Sequence, residues 1–86
     1  MNLLFTGKYC KSCPAVKHQL NTMGVQFIEV DVEDETVVPE MNQTGRALQM
    51  QWRIMGLPTL VKVQSSTPID RLTGVYPEGS YRKFLK

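Results

Sequence analysis

Apolar residues along this chain follow two spacings, and each spacing predicts a different kind of element. Short runs of adjacent or alternating apolar residues, many of them β-branched, predict strands. These predicted strands cover residues 2–5, 25–32, 56–63 and 69–75. Apolar residues three or four positions apart predict amphipathic helices. The predicted helices cover residues 11–23, 39–53 and 77–86.

The first predicted helix has the clearest boundaries. Its apolar stripe consists of Cys13, Val16, Leu20 and Met23. Gly24 follows, at the position where glycine commonly ends a helix. The proline directly after Cys13 is compatible with this helix, because a first-turn residue has no intrahelical partner for its N–H.

The second and third predicted helices are less regular. The second begins at Pro39 and carries Gly45 in its interior, where glycine costs about 1 kcal/mol relative to alanine. Its apolar positions include Met41, Leu48, Trp52 and Met55. In the closing helix, we expect Tyr81, Phe84 and Leu85 to face the core.

The order of elements, βαβαββα, predicts an α/β fold. Helical connections imply parallel crossovers, so we expect the first three strands to run parallel. The last two strands are separated only by the turn "QSSTP" and should form a hairpin, with the fourth strand at the edge of the sheet. The prediction is a four-stranded mixed sheet flanked by three helices, with residues 1–86 in one domain.

Composition and charge exclude several classes of function. The chain has 86 residues and a formal net charge of +2, with its basic residues scattered, so neither nucleic acid nor a membrane is an expected partner. No apolar run reaches the length of a membrane span, and "MNLLF" is too short for a signal-peptide core. We expect a cytoplasmic monomer. In that compartment two close cysteines are typical of catalysis or metal binding.

Cys10 and Cys13, the two cysteines of the chain, stand three positions apart near the predicted start of the first helix. Residues at this spacing share a helix face with Cβ atoms about 5–6 Å apart, so the two thiols can form a disulfide with little backbone movement. Cys10 lies at or before the first turn, where unpaired N–H groups and the helix dipole favour an anion. Lys8 and Lys11 add positive charge. Each effect favours the thiolate, which is the attacking form.

We therefore assign Cys10 as the nucleophile and Cys13, on the apolar stripe, as the resolving thiol. Two other interpretations stay open. A binding module with a metal would need ligands from two chains, because His18 does not share a helix face with Cys13. A purely structural disulfide would close a very small loop and stabilise the fold little. We expect His18 to face solvent.

Three stretches of the sequence resemble the thioredoxin superfamily. They are "NLLFTGKYCKSCPAVK", "WRIMGLPTLVKV" and "RLTGVYPEGSYRKFL", and together with "FIEVDV" they cover nearly the whole chain. The resemblance implies a thioredoxin-like fold with a cis peptide bond between Leu57 and Pro58, beside the cysteines. It also implies that client backbone pairs with Leu57 as an added strand. The residues expected to bind substrate are Tyr9, Leu57, Pro58, Gly74 and Val75, with Met55 beside them. The alternative is that Tyr9 and Met55 are core residues.

In length and element order the chain is similar to glutaredoxins and to glutaredoxin-like electron donors of ribonucleotide reductase. The glutathione contacts of glutaredoxins are matched poorly, because the loop reads "GLP" rather than "TVP" and Gly74 replaces a glycine pair. The resemblance thus implies a protein-disulfide reductase without a bound cofactor, supplied with electrons by a thioredoxin-reductase-type NADPH enzyme. A glutathione-dependent glutaredoxin, or a donor to ribonucleotide reductase, is the alternative.

Leu4 aligns with the buried acid of thioredoxins and cannot transfer protons. We therefore consider Glu29 and Asp31 as proton acceptors for Cys13. Strict alternation along the strand places both acids on the face of Phe27, so one of them is expected to be unusually buried unless a bulge or an edge position resolves the conflict. The alternative is that Glu29 points outward.

Overall fold

The computed structural model describes residues 1–86 and contains three helices and six strands. The helices are α1 (Cys13–Thr22), α2 (Gly45–Gln51) and α3 (Glu78–Phe84). The strands are β1 (Asn2–Thr6), β2 (Ile28–Asp31), β3 (Val37–Val38), β4 (Gln43–Thr44), β5 (Thr59–Gln64) and β6 (Thr67–Thr73). None of the helices combines the length and the apolar character needed to cross a membrane.

The main sheet has four strands in the order β2-β1-β5-β6, and β3 and β4 pair separately. β1 and β2 are parallel, whereas β5 runs antiparallel to β1 and β6 antiparallel to β5. The predicted mixed sheet with three helices is confirmed, as are the closing hairpin and the edge position of β6. The expectation that the first three strands would all be parallel is wrong, because β5 is reversed.

The path between β2 and β5 explains this reversal. The chain leaves β2 beside the carboxyl end of β1, where the Val32 N–H donates to the carbonyl of Thr6 over 2.9 Å. It re-enters the sheet at Thr59, which pairs with Phe5 near the same end of β1. The connection therefore begins and ends at the same end of the sheet, the carboxyl end of β1, and does not run back along the length of the strands. A parallel strand would have required a crossing.

The predicted helix over residues 39–53 is wrong in its first half. Pro39 lies in the turn between β3 and β4, and α2 begins only at Gly45. The side chain of Thr44 caps α2 by accepting a hydrogen bond from the Ala47 N–H over 3.1 Å. Gly45 packs so closely on the backbone carbonyl of Asp31 that a Cβ atom would overlap it. Glycine is required there by close approach, and it marks the start of the helix, not its interior.

Other boundaries shift by a few residues. α1 begins at Cys13 rather than residue 11, and Gly24 follows it with φ +76°, as predicted for a glycine that ends a helix. β2 is confined to Ile28–Asp31, so Phe27 precedes the strand and its alternation. β6 begins and ends two residues earlier than predicted.

Alternation along β1 builds a core on each face of the sheet. Leu3 and Phe5 point to the α2 face, where the ring of Phe5 lies edge-on to that of Trp52 at 5.9 Å between centroids. Leu4 points to the other face and packs with Tyr81 of α3. The apolar stripe of α1 covers that same face. α1 is thereby held with its first residues at the carboxyl end of β1.

Candidate functional site

The segment from Gly7 to Cys13, here called the cysteine turn, joins β1 to α1. The Cys10 N–H donates to the Gly7 carbonyl over 3.1 Å, which closes a tight turn before the helix. Cys13 is the first residue of α1 and Pro14 follows it within the first turn. The two cysteines form a disulfide with Cα atoms 5.5 Å apart. The predicted proximity of the thiols at a helix start is thus present in the structure.

The two cysteines differ in exposure. Cys13 is only 4% exposed and belongs to the buried stripe of α1, whereas Cys10 is half-buried and lies ahead of the helix. The Sγ atom of Cys10 lies 3.8 Å from the Oγ atom of Ser12. This is the order of exposure expected for an attacking and a resolving thiol.

Facing the cysteine turn is the segment Ile54–Pro58, here called the proline loop. Its Leu57–Pro58 peptide bond is cis, and Pro58 is buried. The Gly74 N–H donates to the Pro58 carbonyl over 2.8 Å. The Thr59 hydroxyl, at the start of β5, hydrogen-bonds to the Gly56 carbonyl and lies 3.1 Å from the Thr73 hydroxyl. The proline loop is therefore held by the edge strand β6 and the residue after it.

Tyr81 extends this support from α3, and sequence reasoning treated it only as a core residue. Its side chain is fully buried, and its hydroxyl donates to the Gly74 carbonyl over 3.2 Å. Burial raises the pKa of this hydroxyl above its ordinary value of 10.0, although a hydrogen bond with the Tyr76 backbone opposes that shift. Gly74 itself has φ +109°, a conformation that favours glycine. In the sequence, the only indication of this contact is an inward-facing tyrosine seven residues after Gly74.

An open pocket of about 530 Å³ lies between the cysteine turn and the proline loop. Cys10, Tyr9, Met55 and Leu57 line it, so the structure brings these predicted residues together. Tyr9 is 80% and Met55 93% exposed, which places Met55 on the surface and not in the core. The lining of the pocket does not include Pro58, Gly74 or Val75; Pro58 is buried and Val75 is exposed.

A smaller cavity of about 130 Å³ lies on the other side of the cysteines, and Glu29, Asp31, Cys10 and Cys13 line it. Glu29 is not buried: its carboxylate accepts hydrogen bonds from the Thr6 hydroxyl at 2.9 Å and the Lys17 ammonium at 3.1 Å. Asp31 is half-buried.

The expectation of an unusually buried acid is therefore wrong. Ile28 and Val30 face the α2 core, and both acids lie on the opposite face, where Phe27 also packs, as alternation predicts. β2 is an edge strand of the sheet, so Glu29 on that face is exposed. Both acids nevertheless reach the cavity at the cysteines.

The basic residues of the cysteine turn are on the surface. Lys8 is exposed and its Nζ atom lies 5.6 Å from the ring centroid of Tyr9. Lys11 is exposed and lines the pocket at Cys10. His18 faces solvent, as predicted, and no group of three or more His, Cys, Asp or Glu side chains is arranged to hold a metal ion.

Comparison with protein families matches residues 2–61 to glutaredoxin. The match covers more than half of the chain, which therefore belongs to the glutaredoxin family. Comparison with curated protein sequences gives no match. The family match spans both the cysteine turn and the proline loop.

The fold is also that of solved thioredoxins. A mutant thioredoxin from Halobacterium salinarum superposes with a TM-score of 0.72 at 17% identity, over 96% of this chain and 68% of its own. Thioredoxin from Trypanosoma brucei brucei gives 0.71 at 21% identity, over 98% and 69% of the two chains. Malassezia sympodialis thioredoxin gives 0.73 at 19% identity, over 98% and 70%. The predicted thioredoxin-like fold is confirmed, and the chain is a small redox protein of the thioredoxin superfamily.

Proposed function

We propose that this protein is a dithiol–disulfide oxidoreductase that reduces disulfides in client proteins. The observation that carries the proposal is the cysteine pair itself: Cys10 opens to a pocket beside the proline loop, while Cys13 is buried one helical turn away. A thioredoxin-like fold with this pair supports thiol–disulfide exchange in general.

The proposed reaction has two exchange steps. The Cys10 thiolate attacks one sulfur of the client disulfide, forms a mixed disulfide and releases the other client sulfur as a thiolate, which takes up a proton. The Cys13 thiolate then attacks the Sγ atom of Cys10 and releases the second client thiolate. Two electrons have passed to the client, and the protein is left with the Cys10–Cys13 disulfide seen in the structure.

Client docking is proposed at the pocket between the two segments. Extended client backbone would pair with Leu57 beside Pro58, and side chains would rest on Tyr9 and Met55, both of which line the pocket and are widely exposed. Gly74 does not line the pocket and would act through its hydrogen bond to the Pro58 carbonyl, and the exposed Val75 would contact the client outside the pocket. Lys8 and Lys11 would favour the Cys10 thiolate through their charge.

Proton transfer at Cys13 is proposed to pass through the smaller cavity. Glu29 and Asp31 line it together with Cys13, so a water molecule there could connect the thiol to a carboxylate. This route would replace the buried acid whose position is occupied by Leu4, which is fully buried and apolar.

The electron donor is proposed to be a thioredoxin-reductase-type NADPH enzyme, and the site of action the cytoplasm. Membership of the glutaredoxin family favours glutathione as the second candidate donor. Ribonucleotide reductase is a candidate client in either case.

A turnover assay tests the proposal and separates the donors. Reduction of insulin disulfides is measured with thioredoxin reductase plus NADPH, and separately with glutathione plus glutathione reductase. We expect turnover with the first system and at most slow turnover with the second. The reverse result would assign the protein to glutathione, and failure with both donors and with dithiothreitol would refute the proposed reaction.

A further inference from the structure

A second groove continues from the pocket at Cys10. It has a volume of about 460 Å³ and is lined by Gln49, Met50, Arg53, Ile54 and Met55. Gln49 and Met55 also line the pocket at Cys10, so the two hollows meet at these side chains. A chain segment bound at Cys10 can therefore continue along the end of α2.

The floor of this groove is unusually apolar for a surface. Met50 is 73% and Met55 93% exposed, and neither side chain belongs to either hydrophobic core. Methionine side chains are flexible and polarizable, and they adapt to apolar side chains of different shapes. Two exposed methionines beside a reactive thiol are suited to binding varied apolar side chains.

The far end of the groove is basic. Arg53 lines it. Arg71 of β6 lies next to the groove, because its Nη1 atom donates to the backbone carbonyl of Arg53 over 3.2 Å. Neither guanidinium belongs to an ion pair within the protein, since the two salt bridges are Lys17–Glu29 and Arg82–Glu78. α2 contains no acidic residue. Arg53 lines the groove and the Arg71 guanidinium contacts the Arg53 backbone, and neither side chain is paired with a carboxylate.

The geometry points to a specificity groove for the client segment next to the reactive disulfide: an apolar side chain lies on Met50 and Met55, and a carboxylate further along pairs with Arg53, with the charge of Arg71 nearby. This inference rests on the proposed oxidoreductase function. The favoured clients are acidic–apolar polypeptide segments, because the charge of the groove complements a carboxylate and repels lysine or arginine.

Single-turnover kinetics with matched peptides test this inference. Each peptide carries one cysteine joined to thionitrobenzoate, followed by leucine and then by either two aspartates or two lysines. The reduced protein attacks this disulfide, and release of thionitrobenzoate is followed by absorbance. We expect the acidic peptide to react about two- to fivefold faster, the size expected for exposed ion pairs, with the difference shrinking in high salt.

Arg53→Glu is the decisive variant, and Arg82→Glu on α3 is its matched control with the same change in net charge. Arg53→Glu should abolish or reverse the preference for the acidic peptide, while Arg82→Glu should keep it. Met50→Ser should slow the leucine peptides but not peptides with glycine in that place. If Arg53→Glu and Arg82→Glu show the same preference between the peptides, the acidic peptide is attracted by the net charge of the protein, and the groove does not bind it.

A small uncharged disulfide, 2-hydroxyethyl disulfide, separates the two proposals. The wild-type protein and the Arg53→Glu and Met50→Ser variants should all react with it at equal rates, because it does not reach the groove. If the wild-type protein fails to react with it, the oxidoreductase proposal fails. If it reacts but shows no preference between peptides, only the groove assignment is overturned.

Discussion

The cysteine turn and the proline loop lie at the same end of the sheet, yet they are held there in different ways. The cysteine turn is stabilised locally, by the hydrogen bond from Cys10 to Gly7 and by the start of α1. The proline loop depends on contacts distant in sequence, from Gly74, Thr73 and Tyr81. The reactive cysteines therefore lie in a locally stabilised segment, whereas the position of the proline loop beside them depends on the tertiary structure. Substitutions in the two regions should affect different properties.

The largest effect is expected at the cysteine turn. Cys10→Ser should abolish client reduction and trap no mixed disulfide, because no attacking thiolate remains. Cys13→Ser should also stop turnover but accumulate mixed disulfides with clients, since resolution is blocked. Non-reducing electrophoresis with a disulfide client distinguishes the two variants. Equal trapping by both, or equal alkylation rates of the two thiols in the reduced protein, would contradict the assignment of roles.

The next largest effect concerns the connection that returns the chain to the proline loop. Gly45→Ala would place a Cβ atom against the Asp31 backbone carbonyl and should lower the free energy of unfolding by about 1–3 kcal/mol. Gly79→Ala is the matched control, because no atom lies within 4 Å of its Cβ position in α3. The control should stabilise the protein by about 0.5–1 kcal/mol. Urea denaturation measures the free energy of unfolding of both variants. Equal changes in the two would contradict the claim that Gly45 is required by its close contact with the Asp31 carbonyl.

A smaller effect is expected when the support of the proline loop from α3 is removed. Tyr81→Phe deletes the hydroxyl that donates to the Gly74 carbonyl and should lower the free energy of unfolding by about 1 kcal/mol near neutral pH. Reactivity of Cys10 with a small alkylating reagent should be unchanged, because the cysteine turn is held independently.

The pH dependence of that variant provides a further check. Burial raises the pKa of Tyr81 in the folded state above 10.0, so the folded protein binds this proton more tightly than the unfolded chain does. The corresponding stabilisation is complete below about pH 10 and is lost as the pH rises through the folded-state pKa. The stability difference between wild type and Tyr81→Phe should therefore be constant between pH 8 and about pH 10 and shrink above pH 10. A difference that stays constant above pH 10 would contradict this expectation.

The smallest effect on stability is expected from the acids beside the cysteines. Glu29→Gln keeps an acceptor for Thr6 but loses the exposed pair with Lys17, so the free energy of unfolding should change by about 0.5 kcal/mol or less. Asp31→Asn tests the second acid in the same way. If either acid accepts the Cys13 proton, its variant should slow release of the mixed disulfide and shift the rate profile between pH 6 and 9. Unchanged profiles in both variants would leave water as the acceptor.

Local features were predictable from the sequence because neighbouring residues determine them. The apolar stripe of α1, the glycine that ends it and the proline in its first turn all follow from helix geometry, and they place Cys10 outside the helix and Cys13 on its buried side. The short apolar run of β1 is local in the same sense, because strand alternation divides its side chains between the two faces of the sheet.

Other features depended on residues that meet only in the folded chain. The sequence predicts Gly45 as a weak point inside a helix, and only its contact with the Asp31 backbone in the folded chain explains why no larger residue fits there. The exposure of Glu29 depends on the edge position of β2, which leaves its carboxylate open to Lys17 and to solvent. The reversal of β5 and the link from Tyr81 through Gly74 to Pro58 belong to the same group. Spacing along a sequence determines which face of an element is apolar, but only packing decides which end of the sheet the chain returns to and which side chains meet there.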